Sequence, residues 1–183
     1  MPAIPSGRAL LDSEALLRSA GLSLDMHYAD FGSGTLGHFV LPAALIVGPV
    51  GKVYAVDILK SALQSIKSRA QLEGVANIQT VWGDFERPGG VKIPATSLHL
   101  ISFVNIARVL MHNSVPLDEA KRLLRPNGRV LVVDWQTGTG SIVVDEKRRV
   151  DSESVKKLFL SRGFKFFEEF SAGPQHWGLI FKV

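Results

Sequence analysis

The residues best suited to chemistry stand in one short stretch, DFGSGTLGHF, from Asp30 to Phe39. An acid is followed by Gly32, Gly34 and Gly37, and an apolar run that can form a helix comes next. Glycines let the backbone turn tightly and approach a ligand, and a helix opening just after them presents unpaired N–H groups to it. Two further acids close apolar runs: Asp57 ends KVYAVD and Asp84 ends IQTVWGD. A carboxylate at the end of a second strand is placed to accept both hydroxyls of a ribose. The spelling G-x-G-x-x-G fits a nicotinamide dinucleotide, so the ligand has to be decided from other features.

Three of them separate the alternatives. Asp30 would crowd a pyrophosphate with a like charge, whereas it complements the ammonium end of a methionine moiety. Asp84, ending a third strand, is within reach of an adenine amino group. Two strands close to each other at the C-terminus, FKFFEEF and HWGLIFKV, are joined by SAGPQ, too short a link for a parallel crossover, so they pair antiparallel, which a dinucleotide fold does not require. All three favour S-adenosylmethionine (SAM).

The elements that must position these residues alternate between short β-branched runs and amphipathic stretches, the pattern of a parallel sheet covered on both faces. A leading helix is expected near Ser13 to Ser19, stopped by Gly21. Strands follow at Met26 to Phe31, Lys52 to Asp57, Ile78 to Asp84, Leu98 to Val104 and Arg129 to Trp135. Helices are expected through about Val47, from Lys60 to Gly74, around Leu117 to Leu124 before a stop in RPNGR, and in SESVKKLFLSRGF. Pro42, inside the helix after the glycine loop, requires a late start or a kink. The stretch from Gln136 to Ile142 reads as a mobile loop, and His112 as a surface loop residue.

With 183 residues the chain has room for one domain with a sizeable core, so cofactor and substrate are expected to share it: an N-terminal helical segment over 1–24 and a core over 25–183. Without cysteine, disulfides, thiolate metal sites and cysteine nucleophiles are excluded, and no metal site is expected. The first residues lack the basic start and apolar core of a signal peptide, and the longest apolar run falls short of the roughly 20 residues that cross a bilayer. A soluble, cytoplasmic protein is the expectation. The net charge of +4 raises the question of nucleic acid, but the basic run EKRRV follows acids and carries no interleaved aromatics, so a solvated face is the simpler reading.

The segments YADFGSGT, GKVYAVDI, IQTVWGDFE, EAKRLLRPNGRVLVVDW and SVKKLFLSRGFKFFEEFSAGPQHWGLIFKV resemble, in order and spacing, successive motifs of the class I SAM-dependent methyltransferases, in the type 11 or quinone-methyltransferase-like branch. The resemblance runs from about Asp30 to the C-terminus. It implies a single Rossmann-like three-layer α/β sandwich with a seven-stranded sheet of order 3-2-1-4-5-7-6 and an antiparallel last strand. It also implies that Asp30, Gly32, Ser33 and Gly34 surround the methionine end, that Asp57 holds the ribose and Ile58 packs on the adenine, that Asp84 and Phe85 meet the adenine edge and face, and that Asn105 lines the transfer site. The family pattern D-x-G-x-G-x-G is departed from at Leu36, an extra residue before Gly37, which would move the helix N-terminus away from the cofactor's carboxylate.

Each of these residues also has a plainer role open to it. Asp57 can cap a helix, Asp84 a turn, and Asn105 the end of a strand; Gly37 reads as a packing or turn glycine. Trp135, His176 and Trp177 can wall a substrate pocket or fill the core, and His176 is the one candidate base. The expected activity is methyl transfer from SAM to a small organic acceptor. Two other readings stay open: an RNA methyltransferase using the basic residues around Arg148, and a non-catalytic relative whose cofactor loop Leu36 has altered. A nicotinamide oxidoreductase comes last, for want of a second domain and a hydride-transfer acid.

Overall fold

The computed structural model describes residues 11–138 and 145–183, so residues 139–142 of the loop expected from Gln136, and the first ten residues of the N-terminal segment, lie outside it. Helix α1 (Ser13–Ser19) starts where the Asp12 carboxylate accepts the Ala15 N–H. Strand β1 (His27–Phe31), helix α2 (Val40–Val47), β2 (Lys52–Asp57), α3 (Lys60–Leu72) and β3 (Ile78–Trp82) follow. Then come β4 (Leu98–Val104), α4 (Ala107–His112), α5 (Val115–Leu123) and β5 (Leu124–Trp135). A 3-10 turn at Glu146–Arg148, α6 (Ser152–Ser161), β6 (Lys165–Gly173) and β7 (His176–Lys182) complete the order.

The seven strands form one sheet in the order β3-β2-β1-β4-β5-β7-β6. All pairings up to β5 are parallel, and β7 runs antiparallel to both β5 and β6. The link between β6 and β7 is shorter than SAGPQ, because β6 continues through Gly173 and leaves only residues 174 and 175 between the strands.

Side chains alternate across the sheet, and each face has its own core. Ala29, Phe31, Val56, Phe103, Val132 and Phe181 face α4, α5 and α6 through Leu110, Leu117 and Phe159. Tyr28, Val53, Leu100, Leu131 and Ile180 face α1, α2 and α3 through Leu17, Val40 and Ile66. The expected three-layer sandwich is therefore the observed one.

Two local expectations are corrected. His112 lies in the last turn of a helix, α4, whose six residues are too few for a periodic signal to stand out. The segment RPNG separates no helix from a strand: β5 already pairs with β4 at Leu124, loops out, and rejoins at Arg129. Pro42 takes the late-start solution, since it is the third residue of α2, where a helical N–H has no partner to lose.

Candidate cofactor and transfer site

The strand order reverses between β1 and β4, so the carboxyl ends of these strands open a crevice, the usual ligand position in such sheets. The glycine loop, eight residues from Gly32 to Phe39, fills one wall of it. Gly32 (φ 77°) and Gly34 (φ 60°) take left-handed conformations that other residues adopt only under strain. The Gly32 and Ser33 N–H groups donate to the Val56 carbonyl at 2.9 and 3.2 Å. Gly34 N–H donates to Asp57 Oδ2 and Leu59 N–H to Asp57 Oδ1, both at 2.9 Å. One carboxylate thus joins the loop to the start of α3, and each of its oxygens keeps lone-pair capacity for a ribose hydroxyl.

The space in the cradle fits the expected group. A Cβ added at Gly34 would meet nothing within 4 Å, whereas one at Gly32 would touch Ile106 at 3.4 Å. Ser33 Oγ is buried and has no hydrogen-bond partner among the described residues, a donor left over beside the loop. Gly37 has the packing role expected of it, because a Cβ there would press on Ile66 at 3.2 Å. Leu36 is 66% exposed and its carbonyl accepts from the Arg69 guanidinium, so the extra residue is absorbed as an outward kink.

Asp30 is only 3% exposed and turns toward the α1–α3 face. Ser102 Oγ donates to it at 2.5 Å, and the Tyr28 hydroxyl lies 2.5 Å from that same Oγ. Burial lifts its pKa from 3.8 to about 6; the Ser102 and Tyr28 hydrogen bonds oppose the rise, and the charge of Asp57 adds to it.

Along the next two strands, Ile58 is 55% exposed beside the crevice. β3 stops at Trp82, short of the expected Asp84, which accepts the Glu86 N–H at 3.0 Å and pairs with Arg87 at 3.1 Å and so braces the turn after the strand. The Phe85 ring stacks on Phe31 with centroids 5.3 Å apart and meets Phe103 edge-on, which engages it with the core. Sequence reasoning passed over Trp82, whose indole N–H donates to the Ile58 carbonyl at 2.9 Å while Lys60 lies over its ring. Its signal was an aromatic residue closing the strand beside β2, which closes in Asp57.

Beyond β4, Asn105 (φ 59°) donates its N–H to Val133 O at 2.8 Å and lines a cleft of about 560 Å³. Ile106, Arg108, Asp134, Trp135 and Arg148 also line it. Asp134 is the residue most clearly missed: its carboxylate accepts from the Ala107 and Trp135 N–H groups, each at 2.7 Å, and fixes α4 on β5. Burial raises its pKa, against those two bonds. An acid closing an apolar strand, as Asp30 and Asp57 do, was the sign that could have found it.

Trp135, His176 and Trp177 do not act as one wall. The His176 ring lies behind Trp135 with centroids 4.1 Å apart, 1% exposed, and neither of its nitrogens has a partner among the described residues. Burial, helped by the Arg149 charge, lowers its pKa from 6.5 to about 4, so it is neutral at physiological pH. Trp177 points to the opposite face and donates its indole N–H to Val150 O at 3.0 Å. The basic run is no continuous surface either: Arg149 is buried and pairs with Glu146, and Lys156 and Lys157 pair with Glu169 and Glu153. Among the described residues no cluster of three or more His, Asp or Glu is arranged to hold a metal ion, and no helix is long and apolar enough to cross a membrane.

A sheet of this order with an antiparallel seventh strand, a glycine loop after β1 and acids near the ends of β1 and β2 define the class I SAM-dependent methyltransferase fold. The chain belongs to the methyltransferase domain family, whose family model matches residues 22–164. Among curated relatives it is 33% identical over 107 residues to a ubiquinone/menaquinone biosynthesis C-methyltransferase, UbiE, of Ectopseudomonas mendocina, covering 58% of this chain and 40% of that one. It is 30% identical over 125 residues to the Hahella chejuensis protein of the same description, covering 68% of this chain and 49% of that one. The chain thus spans less than half the length of these relatives. Among solved structures, a SAM-dependent methyltransferase from Aquifex aeolicus superposes with a TM-score of 0.90 at 20% identity, over 98% of this chain and 94% of that one.

Proposed function

We propose that the chain transfers the methyl group of SAM to a small organic acceptor seated in the cleft between Asn105 and Trp135, in the cytoplasm. The observation that carries this reading is the Gly34–Asp57 bond beside open space at Gly34. In it, Asp57 holds the ribose hydroxyls while its protein bonds keep the loop in place. Ser33 Oγ, the Gly32–Gly34 backbone and the Asp30 carboxylate serve the methionine end, and Ile58 and Asp84 the adenine. SAM supplies an electrophilic methyl on a sulfonium, which leaves as a neutral thioether.

The chain's own work is then to position the acceptor and keep water out, which supplies much of the rate in an in-line displacement. Ile106, Val109 and Trp135 offer an apolar wall, and the rim is of mixed charge, with Arg108 and Arg148 beside Glu86, Asp134 and Asp145. The description of the UbiE relatives as C-methyltransferases favours a carbon nucleophile. An RNA substrate draws less support, because Arg149 is buried and the neighbouring lysines are paired. A non-catalytic role draws less as well, since the Leu36 kink leaves the Gly34–Asp57 bond in place.

Calorimetric titration of the protein with SAM, S-adenosylhomocysteine and NAD tests the reading. Micromolar binding of the first two, none of NAD, and loss of binding in Asp57→Ala are expected. A folded protein that binds neither SAM nor its product overturns it.

A further inference from the structure

The opposite end of the strands, at the amino end of β4, holds a second cleft of about 580 Å³. It exists because β5 loops out: Leu98 pairs with Leu124 and Leu100 with Arg129, leaving residues 125–128 as a bulge opposite His99. Asn127, at φ 65°, turns the bulge back. The lining includes His99, Arg125 and Arg129 and no acidic residue; Asp25 adjoins the lining residue Met26 in sequence but is not itself part of the wall.

The hydrogen bonds at His99 do not balance. The His27 backbone N–H donates to His99 Nδ1 at 2.9 Å, so a neutral ring carries its proton on Nε2. That Nε2 lies 2.9 Å from Arg125 Nη1, which also carries only protons to give. Turning the ring over does not help, because a carbon would then face the His27 N–H. Protonating it does not help either, since both nitrogens would then donate. Two N–H groups therefore meet, with no acceptor between them among the described residues. Burial, then the charges of Arg125 and His27, keep the His99 pKa below its ordinary value, consistent with the neutral ring.

A second cation completes the setting. Arg129 is held by a bond to Ala20 O at 3.3 Å and by the Phe167 ring, 4.6 Å from its guanidinium carbon. We propose that this cleft binds a small tetrahedral oxyanion, a phosphate or phosphomonoester group, whose oxygens accept from His99 Nε2–H and Arg125 together, with Arg129 adding charge. Donors approach from two strands, which suits an anion with several oxygens better than a planar carboxylate. The site lies at the far ends of the strands from the cofactor crevice and does not depend on the methyltransferase reading.

The test is a titration of the whole chain with inorganic phosphate, and in parallel with glycerol phosphate, against potassium chloride at matched ionic strength. The readouts are the melting temperature and the long-range ¹H–¹⁵N NMR signals of the His99 ring. Saturable stabilisation is expected, with shifts at His99 and at residues 125–129 and a rise in the His99 pKa on binding. Arg125→Gln, an exposed position, should weaken the apparent affinity about tenfold or more while S-adenosylhomocysteine binding stays unchanged. Tighter binding of glycerol phosphate would assign an esterified group, and tighter binding of inorganic phosphate the free ion. A response that does not saturate, or that is equal in the wild type and Arg125→Gln, overturns the proposal.

Discussion

The backbone N–H of Gly34 donates to Asp57 Oδ2 at 2.9 Å, joining the loop after β1 to the end of β2 across 23 residues of sequence. The carboxylate proposed to hold the cofactor's ribose is therefore also the clamp on the loop that forms the cradle. Binding and local order rest on the same group.

Replacing Asp57 by alanine should consequently act twice. The Gly34 and Leu59 amides lose their acceptor, two part-buried hydrogen bonds worth about 1 to 3 kcal/mol together. For a chain of this size that is a fall of about 3 to 10 °C in melting temperature. S-adenosylhomocysteine affinity should drop by more than tenfold in the same protein. Lost affinity with an unchanged melting curve would show that the clamp does nothing for the fold.

Gly34 and Gly32 make a matched pair of probes. Alanine at either forces an L-residue into a left-handed conformation, a cost of about 1 to 2 kcal/mol. Only at Gly34 does the new methyl enter open space in the cradle; at Gly32 it meets Ile106. Gly34→Ala should therefore lose cofactor affinity out of proportion to its modest loss of stability, as read by calorimetry beside thermal melts. Equal losses of affinity and stability at Gly34 would argue that nothing occupies that space.

Leu36 offers a contrast. The residue that breaks the family spacing points outward, and its carbonyl is engaged by Arg69. Deleting it should leave S-adenosylhomocysteine affinity unchanged or lower it, because the Gly34–Asp57 bond is already formed with Leu36 in place. Binding that appears only after the deletion would mean that the loop in this chain is not a working site.

The fold was legible because its signals are local and repeat: β-branched runs, helix caps such as Asp12 and Asp151, and a final link too short for a crossover. The site was legible where spacing alone fixes geometry, as in the placing of Gly34 and Asp57 on adjoining strand ends. It was not legible where tertiary contacts choose among roles. Nothing in WGDF says that Phe85 will stack on Phe31, and alternation along β7 was needed to see that His176 and Trp177 face opposite ways. The RPNG bulge shared the composition of a helix stop and a turn, and only pairing with β4 distinguishes it from them.

Asp30 should make its burial visible as a pH dependence. Its pKa in the fold, about 6, lies above its ordinary 3.8, so its contribution to stability is full below pH 3.8 and is lost as pH rises through about 6. Asp30→Asn removes that loss and should be more stable than the wild type above pH 6, by up to about 3 kcal/mol. The variant should also bind SAM more weakly, because the carboxylate proposed to face the ammonium is gone. Chemical denaturation at pH 4 and pH 7.5 reads the first effect, and wild-type stability that does not decline relative to Asp30→Asn across that window would contradict it.

His176 separates catalysis from packing most directly. Its pKa, about 4 in the fold against an ordinary 6.5, makes its contribution to stability full above pH 6.5 and lost as pH falls toward 4. That dependence belongs to any buried neutral imidazole and disappears in His176→Gln, whatever the ring does in the reaction. A base would show more: general-base catalysis is worth about 10²- to 10⁴-fold in rate. Once an acceptor is known, a kcat lowered by that amount in His176→Gln, with S-adenosylhomocysteine affinity intact, would identify the ring as the group that takes the acceptor's proton. Its position behind Trp135, with neither nitrogen bonded among the described residues, then requires Trp135 to move for the acceptor to reach it, so Trp135→Phe should change kcat as well. Unchanged kcat in His176→Gln would leave the ring as core packing and the acceptor's own acidity as the source of the nucleophile.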